Sequence, residues 1–591
     1  MMDGSQARKT GTEKELIYTK VVINGYPTEL LLQCQHMADF GGENADAVKN
    51  AFDSAFMDTY NVPPERFSSL LISVCCDGAS VNMGQYTGAC TQLKEDRDWL
   101  LVIHCANHRL ELALKDAFKA DTSFQDVDEI MTQIYYMFRN SGKAKRLFTA
   151  VALILNVTSV GFVKASGTRF QNHKYAAVKA MMINFLPLCL YLERMLETPK
   201  AGAGETSAKL RGYLNKFMSY KYLASLHFYH QVLRETAHLA YIMQTPSTMV
   251  TDIVTAIGQV QQKLTDIAES QVNLPFDAKE DSSDSVVITA KATNMPATLA
   301  FREKNGNLTE KEKTQLEKFT NVAHQQYTVK RVKEGKQAVV RIKEKLLPKI
   351  TECMEKRFES FNDEIYESLS IADYTSWDMD EDKFGMDKIA KLSDHFREPL
   401  SVHGFSFDRA CYEFRELKRL VNLKFRTFKN KTACWNTIFT HHGEKFPHIL
   451  LLIELCLCVA ISSSTVERGF STAGRILTDS RLSLKKESLN DLLFVRVNMP
   501  VLKQLDEHYE NKLITKAIDL YMADTKRSRY HHTAKQSVNP GTLTATCEDT
   551  FLPKPFSAAS NNILENEVFA VLSDSDSDSD SQNKNMQVDS D

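Results

Sequence analysis

Three acidic residues occupy positions from which they could act together. Asp3 lies in the opening MMDGS, Asp77 ends the apolar run LLISVCCDGAS, and Glu467 sits in SSSTVERGFSTAGRI. Carboxylate oxygens are hard ligands suited to Mg2+ or Mn2+. Two such ions about 4 Å apart would clamp the attacking and leaving oxygens of a phosphodiester. Each acid also has an ordinary structural reading. Asp-Gly at 3–4 and 77–78 is a turn signal. The spacing Ser464-Thr465-Val466-Glu467 is that of a capping box, in which the Ser464 hydroxyl and the Glu467 carboxylate serve each other's backbone N–H groups. Cys105 and His108, in IHCANHR, are two soft ligands lacking partners, which argues against zinc. His108 could position a phosphate or leaving group, or pack at a helix start.

The elements that must position these residues follow from periodicity. ELIYTKVVING is β-branched and aromatic and ends in Asn-Gly. With YPTELLLQC it predicts a hairpin whose loop exceeds two residues because Tyr-Pro follows the turn. ENADAVKNAFDSAFMDTY has alanine and phenylalanine at helical spacing. FSSLLISVCCDGAS and WLLVIHC predict short buried strands, and ANHRLELALKDAF a helix. The resulting order is that of an α/β layer with a mixed sheet, expected over 1–120. Long amphipathic helices are expected over 121–440, with surface loops at 277–296 and in SWDMDEDKFGMDK. A C-terminal part of the α/β core is expected over 441–523. A disordered acidic tail is expected over 524–591.

Composition narrows the function classes. The chain has 591 residues, 43% hydrophobic and 25% charged, ordinary for a globular protein of two or three domains. No uninterrupted apolar run reaches 18 residues, so no membrane span is expected. The first residues lack the apolar segment of a secretory signal. Twelve cysteines show no disulfide-like spacing and no Cys-x-x-Cys, so reduced thiols and a nuclear or cytosolic location are expected. From Asn561 on, eight acids oppose one lysine, which leaves the preceding residues net +4 in a chain of net −3. A mildly basic body of this kind permits contact with nucleic acid.

CDGASVNMGQYTGACTQL followed by LLVIHCANHRLELAL resembles the hAT superfamily of DNA transposases. SSTVERGFSTAGRILTDSRLSLKKESLNDLLFVRVN resembles that family's C-terminal dimerisation region. GTRFQNHKYAAV resembles its Thr-Arg-Trp segment, with Phe170 in place of Trp. The resemblance implies an RNase H-like core interrupted by a helical insertion. It implies Asp3, Asp77 and Glu467 as the ancestral catalytic and metal-binding acids, with Mg2+ or Mn2+ as cofactor if the site is active. Cys105 and His108 match the family's Cys-x-x-His beside the active site. The family's zinc-binding N-terminal module is not matched, and only Met1 and Met2 stand where the first core strand should precede Asp3. The expectation is therefore an N-terminally truncated, relic or host-adopted descendant. It would be nuclear and would act by homodimerisation and by protein or DNA binding, without catalysis.

The alternatives are an active metal-dependent transposase or nuclease, and a scaffold working through its tail. Arg169, Arg468 and Arg475 are the candidate DNA contacts. Leu451, Leu455, Phe470, Leu489, Leu492 and Leu493 are the candidate dimer contacts, with Phe470 anchoring the Glu467 helix. In NEVFAVLSDSDSDSDS, Val568, Phe569, Val571 and Leu572 abut Ser-Asp repeats. That arrangement resembles a SUMO-interaction motif, in which a short strand adds to a sheet edge.

Overall fold

The computed structural model describes residues 1–508, apart from 7–12, 166–169, 198–204, 277, 283, 292–323, 382, 429, 479–480 and 482–483, together with residue 515. The tail expected to be disordered, and Arg169, lie outside the described residues. The described residues are mostly helical, with three small sheets among them. They form two compact units, one from Met1–Cys105 with residues 364–508, the other from Ala106–Asp363. Residues 364–440, expected within a helical insertion, thus cluster with the strands of the first unit.

In the first unit, β1 (Met2–Gln6), β2 (Glu13–Ile23) and β3 (Tyr26–His36) form an antiparallel meander, and β4 (Ser73–Cys76) pairs in parallel with β5 (Leu101–His104). The β2–β3 turn has two residues, not more. Asn24 and Gly25 both adopt positive φ, 50° and 78°, the primed turn that matches strand twist. Pro27 is therefore inside β3, opposite Val22 near the strand start, where its missing N–H is tolerated. Register slips between Ile17 and Tyr18, a bulge of the kind that bends a strand. Leu16, Ile17 and Tyr18 are all fully buried there. The Ala45–Tyr60 helix lays Ala47, Val48, Ala51, Phe52 and Ala55 on this layer, as its spacing predicts.

The outer edge of β3 is closed by side chains. Asn498, in the Lys486–His508 helix, accepts from the Leu31 N–H at 2.9 Å and donates to the Leu31 carbonyl at 2.8 Å. Asn490 accepts from the Cys34 N–H at 2.8 Å. The asparagines thus do what a further strand would do and protect a sheet edge. Asn498→Ala is expected to cost ~2–4 kcal/mol, because it strands a buried N–H and a buried carbonyl. Urea unfolding measures this, and Asn498→Asp should recover little, since it cannot donate.

The second unit is built on long helices. The helix Phe170–Leu196 contains Pro187. By length and composition alone its Gln171–Leu196 portion is apolar enough to cross a membrane, with mean hydropathy 1.5, yet 83% of that window is buried among its neighbours. It packs on Tyr220–Met243, which buries residues on most of its circumference. That explains a sequence apolar all round rather than on one stripe. The region expected to be a surface loop at 277–296 instead contributes β6 (Ala278–Ser282) and β7 (Ser285–Lys291), with β8 (His324–Lys330) pairing onto β7. The alternation in SVVITAK is a strand signal, and its second partner lies distant in the chain. No disulfide joins the described cysteines.

Candidate functional site

Asp3 lies within β1, opposite Leu16 of β2, rather than ahead of the sheet. Asp77 follows the last residue of β4, and its Oδ1 accepts from the Ala79 N–H at 3.1 Å and from Asn82 Nδ2 at 2.8 Å. Those two bonds are the turn role that Asp-Gly predicts, and they fix the carboxylate where β4 ends. Glu467 lies in the first turn of the helix Ser464–Ile476. Asp3 feels the other two acids: burial first, then the Asp77 and Glu467 carboxylates and the Cys105 thiol, push its carboxyl up to about 8. A carboxyl beside two like charges holds its proton.

The helix carrying Glu467 does not begin with the expected capping box. Ser463 is its N-cap and no side chain caps it. The Glu467 N–H donates to the Ser463 carbonyl at 3.2 Å. The serines are used elsewhere. Ser462 and Ser464 hydroxyls lie 2.8 Å apart, and the Ser463 N–H donates to Cys105 Sγ at 3.2 Å. Cys105, just past β5, thereby ties the helix start to the strand that neighbours Asp77's own. The helix docks through Val466, Gly469 and Ala473, while Phe470, expected as its anchor, is only half-buried. Gly469 permits the approach. A Cβ there would lie 2.9 Å from Leu16 Cδ1 and closer still to the Tyr18 hydroxyl.

A fourth acid escapes the sequence reading. Glu15 of β2 is 3% exposed, and its Oε1 has no hydrogen-bond partner. Burial, then Asp3 and Asp77, raise its carboxyl well above the usual range. Gly4, across the strand pair, makes room for it, since a Cβ at Gly4 would stand 2.7 Å from Glu15 Oε2. The signal was a glutamate at the start of a β-branched strand pattern, easily taken for a solvent-facing residue.

The donor chemistry of these acids suits a hard divalent cation. Their placement does not gather them on one: among the described residues, no three His, Cys, Asp or Glu side chains are arranged to hold a metal ion. His108 lies in the helix Ala106–Lys119, within the second unit. Arg468 donates to Thr465 Oγ1 at 2.7 Å, Thr465 in turn donates to Glu29, and Arg475 donates to Thr472 Oγ1 at 3.1 Å.

Residues 423–499 match the model of the hAT family C-terminal dimerisation region. The match covers this region alone. The matched dimerisation region contains Glu467, Asn490 and Asn498, so one segment supplies an acid of the cluster and seals β3. Within it, Leu455, Leu489 and Leu493, expected at the dimer contact, are buried inside the first unit. Spacing of four along the Lys486–His508 helix puts Leu489 and Leu493 on its inward face. Leu451 is half-buried. Leu492, 44% exposed, and Val495, 49% exposed, face outward.

Proposed function

We propose that this is a hAT-transposase-derived nuclear protein that works by self-association and by binding DNA or protein, with its acids kept as an inherited site. The match over the dimerisation region carries this reading. The strand arrangement is consistent with an RNase H-like layer: a meander carrying Asp3, a parallel pair ending at Asp77, and a late helix carrying Glu467. Arg468 and Arg475 would meet phosphates on the Glu467 helix. The Asp3 proton opposes metal binding near neutral pH, since a cation must displace it. Val568, Phe569, Val571 and Leu572, outside the described residues, would add a SUMO-binding strand.

Self-association would use the outward face of the Lys486–His508 helix. Leu492→Asp with Val495→Asp is expected to shift the dimer to monomer at micromolar concentration, read by sedimentation, with little change in the melting curve. A wild-type chain that sediments as a monomer overturns the reading. Catalysis is tested by nicking of supercoiled DNA with Mg2+ or Mn2+. No cleavage above background is expected from either wild type or Asp77→Asn. Cleavage by wild type that Asp77→Asn abolishes would establish an active nuclease instead.

A further inference from the structure

The helix Phe407–Leu420 has two contrasting faces. Ala410, Phe414 and Leu417 are buried, and a π turn over Val421–Phe425 continues that inward line through Val421 and Phe425. The outward line holds Arg409, Tyr412, Glu416, Arg419 and Leu423, at alternating steps of three and four, with Arg415 beside it. All but the half-buried Glu416 are exposed. Arg419 donates to Glu416 at 2.6 Å and stays 71% exposed. Among the described residues, no carboxylate pairs with Arg409 or Arg415. Two large side chains stand among these arginines: Tyr412 is 66% exposed and Leu423 83%.

A single exposed leucine means little. Here an aromatic and an aliphatic side chain share one line with unpaired arginines, and only Asp408 and Glu416 oppose their charge. That combination suits an acidic segment with apolar residues of its own. Phosphates would pair with the arginines but would give Leu423 nothing to bury. The same chain carries such a segment, outside the described residues. Asn566–Ser581, NEVFAVLSDSDSDSDS, has five acids and no base, with Val568, Phe569, Val571 and Leu572 ahead of the Ser-Asp repeats. In an extended strand Val568 and Leu572 would share one side, about 13 Å apart. Tyr412 and Leu423 are separated by about 16 Å of helix. The connecting stretch 509–567 could reach about 200 Å if extended, so its length does not limit the contact.

We propose that the acidic segment Asn566–Ser581 docks, within its own molecule, on the arginine face of the Phe407–Leu420 helix. Its aspartates meet Arg409, Arg415 and Arg419, and its apolar residues cover Tyr412 and Leu423. Exposed ion pairs contribute little by themselves and are screened by salt. The apolar contact is what selects this segment over any other run of acids. Tethering supplies an effective concentration that reaches roughly millimolar, so a contact of modest intrinsic affinity stays closed. A docked segment withholds Val568, Phe569, Val571 and Leu572 from other partners. The proposal is independent of the SUMO reading, which uses the same side chains, and its test contains no SUMO.

The test follows a fluorescein-labelled peptide of residues 566–581 by anisotropy at about 50 mM salt, against two forms of the whole 591-residue chain. One is wild type. The other is neutralised by Asp574→Asn, Asp576→Asn, Asp578→Asn and Asp580→Asn. The peptide should bind the neutralised chain with Kd on the order of 10 μM. It should bind wild type at least tenfold more weakly, because the tethered segment already occupies the face. A peptide with Val568, Phe569, Val571 and Leu572 replaced by alanine keeps every charge and should lose at least tenfold on the neutralised chain. Arg409→Glu with Arg415→Glu should abolish binding there, with circular dichroism unchanged. Equal binding to wild type and neutralised chain overturns the proposal, as does no saturable binding to either. Equal binding of the alanine peptide also overturns it, since charge attraction alone would remain. Binding that survives the arginine changes lies elsewhere and overturns it too. Duplex DNA that binds both chains alike, and is lost with those arginines, would mark a nucleic-acid surface instead. The two peptides are compared on one protein, so they decide the matter even if the arginine variant fails to fold.

Discussion

Gly469→Val is expected to destabilise the first unit by ~3 kcal/mol and to release the Glu467 helix from β2. The new Cβ would stand 2.9 Å from Leu16 Cδ1, and nearer the Tyr18 hydroxyl. Both neighbours are fully buried, on a strand whose backbone is held from both sides, so neither can retreat cheaply. The Tyr18 hydroxyl has no hydrogen-bond partner, and removing it leaves no group stranded. Gly469→Ala should therefore cost less in a Tyr18→Phe background than alone, a coupling that a double-mutant cycle in urea measures. Additive costs would show that the helix does not rest on Tyr18.

Asp3→Asn should stabilise the protein at pH 9 by on the order of 5 kcal/mol and have little effect near pH 4. The sign follows from proton uptake. In the unfolded chain Asp3 titrates near the usual carboxylate value. Folded, it is pushed up to about 8 by burial, then by Asp77, Glu467 and Cys105. Between those values the folded state holds the extra proton, so stability declines as pH rises toward 8 and is lowest above it. Asparagine keeps the shape of the protonated acid and removes the titration. Melting curves of both proteins from pH 4 to pH 9 test this, and parallel curves would show that Asp3 is not buried among like charges. Added Mg2+ that stabilises wild type but not Asp3→Asn would show instead that a cation can displace the proton.

The elements that sequence alone made legible were those with local signatures. β2 and β3 are β-branched on both sides of Asn-Gly, and β4 and β5 are short apolar runs bounded by turn residues. The Ala45–Tyr60 helix has small residues at helical spacing. β1 was missed because MDGSQ reads as a turn, and only pairing with β2 makes it a strand. β6 and β7 were read as a loop, and β8 as part of the helical region, because the strand that secures β7 on its second side begins only at His324. At the site, residue types identified Asp3, Asp77 and Glu467. Glu15 was hidden because its burial depends on Gly4 across the strand pair. The serines before Glu467 look like caps, yet Cys105, remote in sequence, captures them.

The seal on β3 has a consequence for synthesis. Leu31 and Asn498 are 467 residues apart, and the whole of Ala106–Asp363 is translated between the two parts of the first unit. At roughly 5–20 residues per second, that interval alone lasts on the order of 10–50 s. Throughout it the emerging hairpin offers its edge amides to any other nascent chain on the same polysome. A message cut short before Asn490 would leave them open permanently. Such a product should be caught by chaperones and degraded, while a chain translated past the Lys486–His508 helix escapes once that helix clears the ribosome.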